Sequence, residues 1–437
     1  MLSFFASKAQ GDITLYSMPE LYQSTYLNPA VISTYNQSIG MPVLSNLGIL
    51  VQLSGFNIGN VLSNIASDNY FHFTDFSHDI NSGVGVKLNL QTDLLHYSKQ
   101  FGHYQIGLNV SLRSTNDVYF SKGFIGFIAD GNAPYAGQTI SLTGTRMNIS
   151  TFTETGLSVA REFKKFTIGA RVKMLNGIAN VYTDNVNLDY HTATYPFDQT
   201  TVSLSGRINA SGLPNLDYND TNSIEKKFSS NDIKPFENLG WAFDFGATYH
   251  VTPRLKISAS AIDLGFINWK NRVYNYDVNN VIINFPGLTL LQLGDSVAQR
   301  QYTDSLQGLV KSATTKNSYA TPLPSRFMLS ADFDLTLRDR VGFLLQMYYY
   351  LNTYYPSYSI NYSRKIGTNW RITTNYSYYN NSFANIGLGT SLKMGAFQVY
   401  FIQDDILFYF VPSTTHTIYF RFGCNLVFGE NKTKVRF

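Results

Sequence analysis

Hydrophobic and polar residues alternate along the last third of the chain. At 416–429, Ile418, Phe420, Phe422, Cys424, Leu426 and Phe428 alternate with Thr417, Tyr419, Arg421, Gly423 and Asn425. Successive side chains of a β-strand point to opposite faces, so one face of this strand is apolar. The same pattern predicts seven strands, at 324–338, 340–354, 357–366, 368–380, 384–394, 396–406 and 415–429. Both a soluble β-sandwich and a transmembrane β-barrel contain such strands.

The connections between these strands fall into two alternating sets. Short basic turns lie at 337–341, 364–369 and 393–397, with similar turns upstream at 162–166 and 250–256. Uncharged loops rich in Tyr, Asn and Ser lie at 351–357, 379–383 and 410–416. Bacterial outer-membrane barrels have short periplasmic turns and longer extracellular loops. The sorting therefore favours an all-β fold, a transmembrane antiparallel β-barrel, over a sandwich.

Extending this alternation upstream predicts the whole barrel, over 46–437. A first strand near 46–58 gives about 14 strands with both termini in the periplasm, and 16 strands would fit if 178–210 formed a full hairpin. The large insertions 178–238 and 278–323 are then extracellular. The second contains two helix-like pieces, at 287–299 and 304–313.

The N-terminal region precedes the predicted barrel. Residues 1–9 resemble the end of a secretory signal peptide, with a disordered terminus as the alternative. Residues 10–45 are interpreted as a periplasmic segment that enters the lumen as a plug, with a flexible periplasmic tail as the alternative. The apolar content of this segment favours a plug. The predicted plug residues are Leu21, Tyr22, Tyr26, Leu27, Asn28 and Pro29.

Composition agrees with a membrane barrel. Charged residues make up only 14% of the chain and aromatic residues 15%, as expected for a protein with one face in lipid. The net charge of +4 is spread along the chain, which argues against nucleic acid as a partner. The single cysteine, Cys424, excludes an internal disulfide and lies in register with lipid-facing residues.

Strand alternation assigns side chains to the two surfaces of the barrel. The predicted lumen-facing polar residues are Arg113, Arg171, Lys173, Asp244, His250, Arg326, Asp332, Asp334, Arg371 and Arg421. Charges of both signs indicate mutual pairing or contacts to a plug rather than an ion path. The predicted membrane-interface aromatic residues are Trp241, Trp269 and Trp370.

The sequence contains no enzyme motif of the common kinds, and no cofactor is expected. His72, Asp75, His78 and Asp79 cluster in one loop and could hold a divalent cation, but a polar loop has the same composition. Asp404 and Asp405 occupy oppositely facing positions of a predicted strand end, so they cannot act together as acid and base.

Three stretches resemble a family of uncharacterised Bacteroidota outer-membrane barrels that is itself similar to the FadL and PorV barrels. They are LYQSTYLNPAVI at 21–32, the stretch 238–271 that ends in DLGFINWKN, and GCNLVFG at 423–429. The resemblance implies a 14-stranded barrel with an N-terminal plug in the outer membrane of a Gram-negative bacterium. It transfers no activity, because FadL-like proteins pass hydrophobic molecules whereas PorV-like proteins are subunits beside a translocon.

Two hypotheses about function follow. The first is a non-enzymatic accessory or scaffold subunit of an outer-membrane complex for secretion or assembly, which binds lipids and other outer-membrane or surface proteins through its extracellular loops. The alternative is a FadL-like passive transporter of hydrophobic small molecules, gated by the N-terminal segment. The polar list of lumen residues favours the first hypothesis. An enzyme inside a barrel is the least favoured.

Overall fold

The computed structural model describes residues 11–65, 71–131, 133–194, 200–213, 236–285, 314–350, 353–379 and 382–430. The strands are β1 (Tyr35–Gly40), β2 (Leu47–Ser54), β3 (Val84–Phe101), β4 (Tyr104–Phe120), β5 (Thr139–Ser141), β6 (Arg146–Glu162), β7 (Phe166–Thr192), β8 (Thr200–Ser211), β9 (Leu239–His250), β10 (Leu255–Trp269), β11 (Tyr274–Phe285), β12 (Thr314–Thr315), β13 (Tyr319–Pro322), β14 (Ser325–Asp334), β15 (Asp339–Tyr350), β16 (Thr353–Ile366), β17 (Trp370–Tyr379), β18 (Ser382–Met394), β19 (Phe397–Gln403) and β20 (Thr417–Glu430). The helices are α1 (Ile13–Tyr16), α2 (Ile58–Ile65), α3 (Phe73–Asp79) and α4 (Lys122–Asp130). None of the helices in these ranges has the length and apolar character needed to cross a bilayer.

The strands close into an antiparallel barrel with 14 wall positions, which confirms the predicted fold class. β1 and β2 both pair with β3 on one side and β20 on the other, so together they form the first position. The wall then continues through β3, β4, β6, β7, β9, β10, β13 with β14, β15, β16, β17, β18, β19 and β20. Closure leaves every wall strand paired on both sides. The hydrocarbon core of a bilayer requires this, because it offers no partners to unpaired backbone N–H and C=O groups.

A smaller sheet continues the wall beyond one end of the barrel. The first part of β7 pairs with β9, whereas its last residues, 180–192, pair with β8. β8 pairs with β11, β11 with β12, and β5 with the end of β7. The hairpin expected within 178–210 therefore adds height to the wall and not two further wall strands, which is why the barrel has 14 positions.

The two ends of the barrel differ in the length of their connections. Short turns join β3 to β4, β6 to β7, β9 to β10, β14 to β15, β16 to β17 and β18 to β19. The other end carries α2, α3, α4 and the small sheet, but β15 to β16 and β17 to β18 are also joined there by only two residues each, shorter than the loops predicted at 351–357 and 379–383. Since short turns are periplasmic in bacterial barrels, we refer to this end as the short-turn end and orient it towards the periplasm.

The wall separates an apolar outer face from a polar inner face, as the alternation predicts. Phe327, Leu329 and Phe333 of β14 are exposed on the outside, and Ser330 of the same strand is buried inside. Apolar exposure of this kind is stable only when the surrounding medium is hydrocarbon.

The first wall position departs from the predicted strand near 46–58. Tyr35–Gly40 already lies in the wall, so the expected boundary at residue 45 cuts through this position. The chain leaves the wall at 41–46, where Pro42 lacks a ladder donor, and returns at Leu47. Ser45 and Asn46 of the break are fully buried. The predicted signal remnant 1–9 and the helix-like pieces 287–299 and 304–313 lie outside the described residues.

Candidate functional site

Residues 11–33, called here the inner segment, lie against the inward-facing side chains of the barrel. Ile13, Leu15, Met18 and Leu21 are at most 1% exposed. They form one apolar cluster with wall residues from several strands, including Leu50, Ile262, Met328, Leu344, Tyr400 and Tyr419. A hydrophobic cluster thus lies inside a barrel whose inner face is mostly polar, and burial of these side chains holds the segment in place.

Hydrogen bonds attach the middle of the inner segment to the wall. The Glu20 carboxylate lies 3.3 Å from Nε of Arg371 and accepts a hydrogen bond from Ser391. Gln23 donates to Asn425 over 3.0 Å and to the carbonyl of Ser45 in the strand break. Each of these wall partners is buried or half-buried, so the contacts are shielded from water and are correspondingly strong.

Charged groups of the wall hold two points of the inner segment. Asp12, near its start, lies 3.0 Å from Arg326 and 2.8 Å from Arg421, and it accepts a hydrogen bond from Tyr419. Further along, Arg171 donates to Thr25 over 3.0 Å. Charge-assisted contacts of this kind are short and directional, so they fix the position of the segment against the wall.

The side chain of Asp404 anchors α1 by binding the backbone of the helix. Its carboxylate accepts from the N–H groups of Ile13, at 3.1 Å, and Thr14, at 3.0 Å. Burial raises the pKa of Asp404 to about 6, although the bonds from Thr14 act in the opposite direction. Asp405 caps the next turn by accepting from Leu407 N–H. Both carboxylates lie beyond the end of β19, not within a strand as predicted, and they serve different partners.

Glycines of the wall make room for the inner segment. A Cβ atom at Gly246 would lie 2.9 Å from the nitrogen of Ala30 and 3.0 Å from Cδ of Pro29. Gly169, the neighbour of Gly246 across β7 and β9, touches the same turn of the segment. Because Cβ contacts shorter than 3.0 Å are not tolerated, the segment can lie here only against glycine.

A buried cluster of charges crosses the lumen beside the inner segment. Arg113 binds Asp263 through both nitrogens, at 2.9 and 3.1 Å, and contacts Glu154 at 2.8 Å. Lys173 lies 2.7 Å from both Asp244 and Asp263. Charges at this depth are stable only when they are paired as closely as here.

Asp263 reaches this cluster through an irregularity in β10. The pairing of β10 with β9 shifts register between Ala261 and Leu264, and Asp263 has φ +60°. This extra residue turns both Ile262 and Asp263 towards the lumen, where each is at most 1% exposed. Strict alternation predicts Asp263 on the lipid side, so sequence reasoning missed it. It also missed Glu154, whose inward position alternation could have found.

Side chains also bridge the lumen nearer its outer end. Lys87 of β3 donates to Tyr348 of β15 over 2.9 Å, and its ammonium lies 4.2 Å from the centre of that ring. Asn148 of β6 donates to Tyr350 over 2.7 Å. β3 and β15 are seven wall positions apart, on opposite sides of the barrel. Between Lys87 and the charged cluster lies a cavity of about 80 Å³, enough for a few water molecules.

The structure brings most of the predicted lumen residues together. Arg113, Arg171, Lys173, Asp244, Arg326 and Arg421 meet in or beside the buried cluster, and Arg371 meets Glu20. Asp332 pairs with Lys256, 3.1 Å away, apart from the cluster. Asp334 and His250 lie at the short-turn end and are not deep in the lumen. The predicted plug residues Leu21, Tyr22, Tyr26, Leu27, Asn28 and Pro29 are all buried.

Trp269 is not the membrane-interface residue that was predicted. It is fully buried, donates from Nε1 to Thr321 over 2.8 Å, and packs in a cluster with Phe152, Leu175 and Ile267. The register shift in β10 reverses which face its later residues occupy, and this moves Trp269 inwards. Trp241 and Trp370 are exposed on the outer face, at 49% and 41%.

The loops at the outer end enclose an apolar cluster, called here the rim cluster. Phe76 and Ile80 of the α3 region, Val84 of β3 and Ile125 of α4 are buried together, and Phe56, Phe73, Phe120 and Phe124 pack around them. His78, part of the possible cation site, lies here and is 3.3 Å from Asp130. In the described part of the chain, His, Cys, Asp and Glu form no group of three that could hold a metal ion.

Comparisons with known proteins give a family and several similar barrels. The Ralstonia pickettii toluene transporter TbuX is 10% identical with a TM-score of 0.45, and 93% of each chain is covered. The Pseudomonas putida toluene transporter TodX is 10% identical with a TM-score of 0.40, covering 97% of this chain and 94% of its own. A Pseudomonas aeruginosa FadL homologue is 8% identical with a TM-score of 0.41, covering 92% of each chain. None of these similarities indicates a substrate for this chain.

No curated protein sequence matches the chain. The model of a family described as a family of unknown function, DUF5723, matches residues 29–404, which include the end of the inner segment and nearly the whole barrel. The chain therefore belongs to the DUF5723 family.

Proposed function

We propose that this protein is a gated passive transporter of small hydrophobic molecules in the outer membrane of a Gram-negative bacterium, with the inner segment as its gate. No chemical step is part of this function, and the protein is not an enzyme. Cargo enters from the outer end when the segment leaves its place, and it moves down its own concentration gradient.

The observation that supports this proposal is that a piece of chain outside the wall has buried side chains lying against inward-facing wall residues. Residues 11–33 lie in sequence before the first wall strand, and they touch the wall through side-chain contacts and not through ladder hydrogen bonds. Such a segment can leave while the barrel stays closed, because every wall strand keeps both neighbours. A barrel that only served as a scaffold would need no such removable part.

The choice of hydrophobic cargo is supported by the rim cluster. Its phenylalanine side chains lie at the outer end, joined directly to β3 and β4, the strands that carry Lys87 and Arg113. Ligand sites for apolar molecules are lined mainly by hydrophobic and aromatic side chains. We infer that an apolar molecule is first received at this cluster, between α3 and α4.

The scaffold subunit, the first hypothesis from the sequence, is the second candidate. The observation in its favour is the small sheet of β5, β7, β8, β11 and β12, which extends beyond the barrel at the outer end. Elements raised above the membrane offer a surface to a partner protein. A subunit of this kind would purify with stoichiometric outer-membrane partners, and a transporter would not require them.

Uptake by cells tests the transport proposal. We expect a bacterial strain without its own hydrophobic-compound transporters to take up radiolabelled oleic acid and toluene faster when it expresses this chain. The lipopolysaccharide layer slows these probes, so an open path raises their rate of entry. Unchanged uptake, in cells whose barrel shows the heat-dependent gel mobility of a folded protein, would contradict the proposal. Maltose, a polar probe, serves as the control and should enter at the same rate with and without the chain.

A further inference from the structure

The short-turn end carries one cluster of aromatic and basic side chains on the outer surface of β3, β4, β6 and β7. Phe101, Tyr104 and Phe166 are exposed at 52%, 42% and 43%. Arg161 lies opposite Tyr104 in the ladder between β4 and β6, on the same outward face as Leu157 and Val159. Lys99 lies outward on β3, opposite Ile106. We call Lys99, Phe101, Tyr104, Arg161 and Phe166 the rim patch.

The cations of the rim patch rest on aromatic rings. The Arg161 guanidinium lies 5.0 Å from the centre of the Tyr104 ring and 4.7 Å from that of Phe163, which stacks on Phe166 at 4.4 Å. The Lys99 ammonium lies 5.1 Å from the centre of the Phe101 ring. Within the described residues, neither cation forms an ion pair with a carboxylate. Their charge is therefore positioned but not neutralised.

Three basic residues elsewhere at the same end are neutralised. Arg340 pairs with Asp334 at 2.6 Å, Arg364 with Asp339 at 3.2 Å, and Lys393 with Glu430 at 3.0 Å. Lys99 and Arg161 differ from these three because aromatic rings, and not carboxylates, contact their charged groups. The rim patch is therefore a place where positive charge and aromatic rings coincide.

We propose that the rim patch binds the phosphate group of an anionic glycerophospholipid from the periplasmic leaflet. Arg161 and Lys99 contact the phosphate oxygens, and Lys165 in the adjoining exposed turn adds a third positive charge. Aromatic rings and basic side chains together at headgroup depth suit this partner, since the rings lie at the interface while long basic side chains reach the headgroups.

The outer wall beside the rim patch fits the rest of the lipid. Ile106, Leu157, Val159 and Ile168 are exposed at 41%, 54%, 43% and 48% on the same outward face, deeper in the membrane than the rings. They form a continuous apolar track along β4, β6 and β7 on which acyl chains can lie. This inference depends on the orientation of the barrel and is independent of what the lumen transports.

Native mass spectrometry of the full-length protein in detergent tests the inference. Phosphatidylglycerol and phosphatidylethanolamine with identical acyl chains are titrated against the wild type, and sn-glycerol-1-phosphate is titrated as the free headgroup. We expect phosphatidylglycerol to bind several-fold more tightly than phosphatidylethanolamine, and the free headgroup not to compete. Because each basic residue near a membrane surface adds a measurable attraction, Lys99→Gln with Arg161→Gln should weaken phosphatidylglycerol binding about tenfold.

A matched double variant provides the control. Arg364→Gln with Lys393→Gln removes the same two charges from the same end, where they are already paired, and should leave phosphatidylglycerol binding unchanged. Equal binding of both lipids to the wild type would overturn the inference, whatever the variants do. Equal losses in the two double variants would also overturn it, since only the overall charge would then matter. If the Lys99/Arg161 variant does not fold, Arg161→Lys, which keeps the charge, must retain binding.

Discussion

Asp263→Ala is expected to lower the free energy of unfolding by about 3 to 5 kcal/mol, the usual loss when one partner of a buried ion pair is removed. Asp263 accepts two hydrogen bonds from Arg113, lies 2.7 Å from Lys173 and 3.7 Å from Arg326, and is 1% exposed. With alanine at position 263, Arg113, Lys173 and Arg326 lose the carboxylate that they share. Urea unfolding of the micelle-bound protein, followed by tryptophan fluorescence, measures the difference.

The control for this prediction is the same substitution at an exposed ion pair. Asp277 pairs with Arg207 in the small sheet, where the arginine side chain is 52% exposed. Asp277→Ala should cost about 1 kcal/mol or less, because solvent screens exposed pairs. Similar losses in the two variants would show that the buried cluster does not carry the stability assigned to it.

Gly246→Leu is expected to displace the inner segment from the lumen. The new side chain would overlap the turn at Pro29 and Ala30, whereas the wall position itself has ordinary strand geometry and no positive φ. The readout is maleimide labelling of Ser17→Cys in a Cys424→Ser background. Ser17 is only 9% exposed, so labelling is slow while the segment is in place and fast once it leaves.

Ala247→Leu is the matched control for the Gly246→Leu substitution. Ala247 follows Gly246 in the same strand, but its side chain faces outwards into lipid. The resulting side chain is the same and the added volume is smaller by one carbon atom, and the labelling rate at position 17 should remain at the wild-type value. Slow labelling in the Gly246→Leu variant would mean that the segment tolerates a large side chain beneath it, contrary to the packing described above.

Sequence alternation was sufficient to predict the wall because lipid imposes a period of two on every strand. Phe327, Leu329 and Phe333 on the outside, and Arg326 on the inside, follow from that rule alone. The sorting of short and long connections then indicated the fold class, and it left the number of wall strands open between 14 and 16.

Alternation fails wherever a strand contains an extra residue. The register shift at Ala261 and Leu264 accounts for two errors together, since it turns Asp263 inwards and reverses the face of Trp269. The break in the first wall position at 41–46 similarly separated Tyr35–Gly40 from the strand predicted downstream. A bulge is set by pairing with neighbouring strands, and a single strand's sequence does not record it.

The contacts of the inner segment could be predicted only in part. Its apolar residues indicated docking, and the mixed charges of the lumen indicated partners. The particular pairs, Asp12 with Arg326 and Arg421, or Glu20 with Arg371, join residues hundreds of positions apart. Only the closed barrel brings them together, so local sequence patterns cannot specify them.

A reversible covalent lock tests most directly whether the inner segment is the gate. A Cβ atom at Gly387 of β18 would lie 2.6 Å from Oγ1 of Thr14 and would overlap Nδ2 of Asn375, so the Asn375 side chain must be shortened to make room. Thr14→Cys with Gly387→Cys in a Cys424→Ser, Asn375→Ala background can then join segment and wall, since a disulfide needs Cβ atoms about 3.5 to 4.5 Å apart. The measurement is oleic acid uptake by cells carrying this variant, before and after reduction. We predict low uptake when the disulfide is formed and recovery to the rate of the Cys424→Ser, Asn375→Ala parent when it is reduced. Equal uptake in the oxidised and reduced states would contradict the account, because the cargo would then pass without movement of the segment.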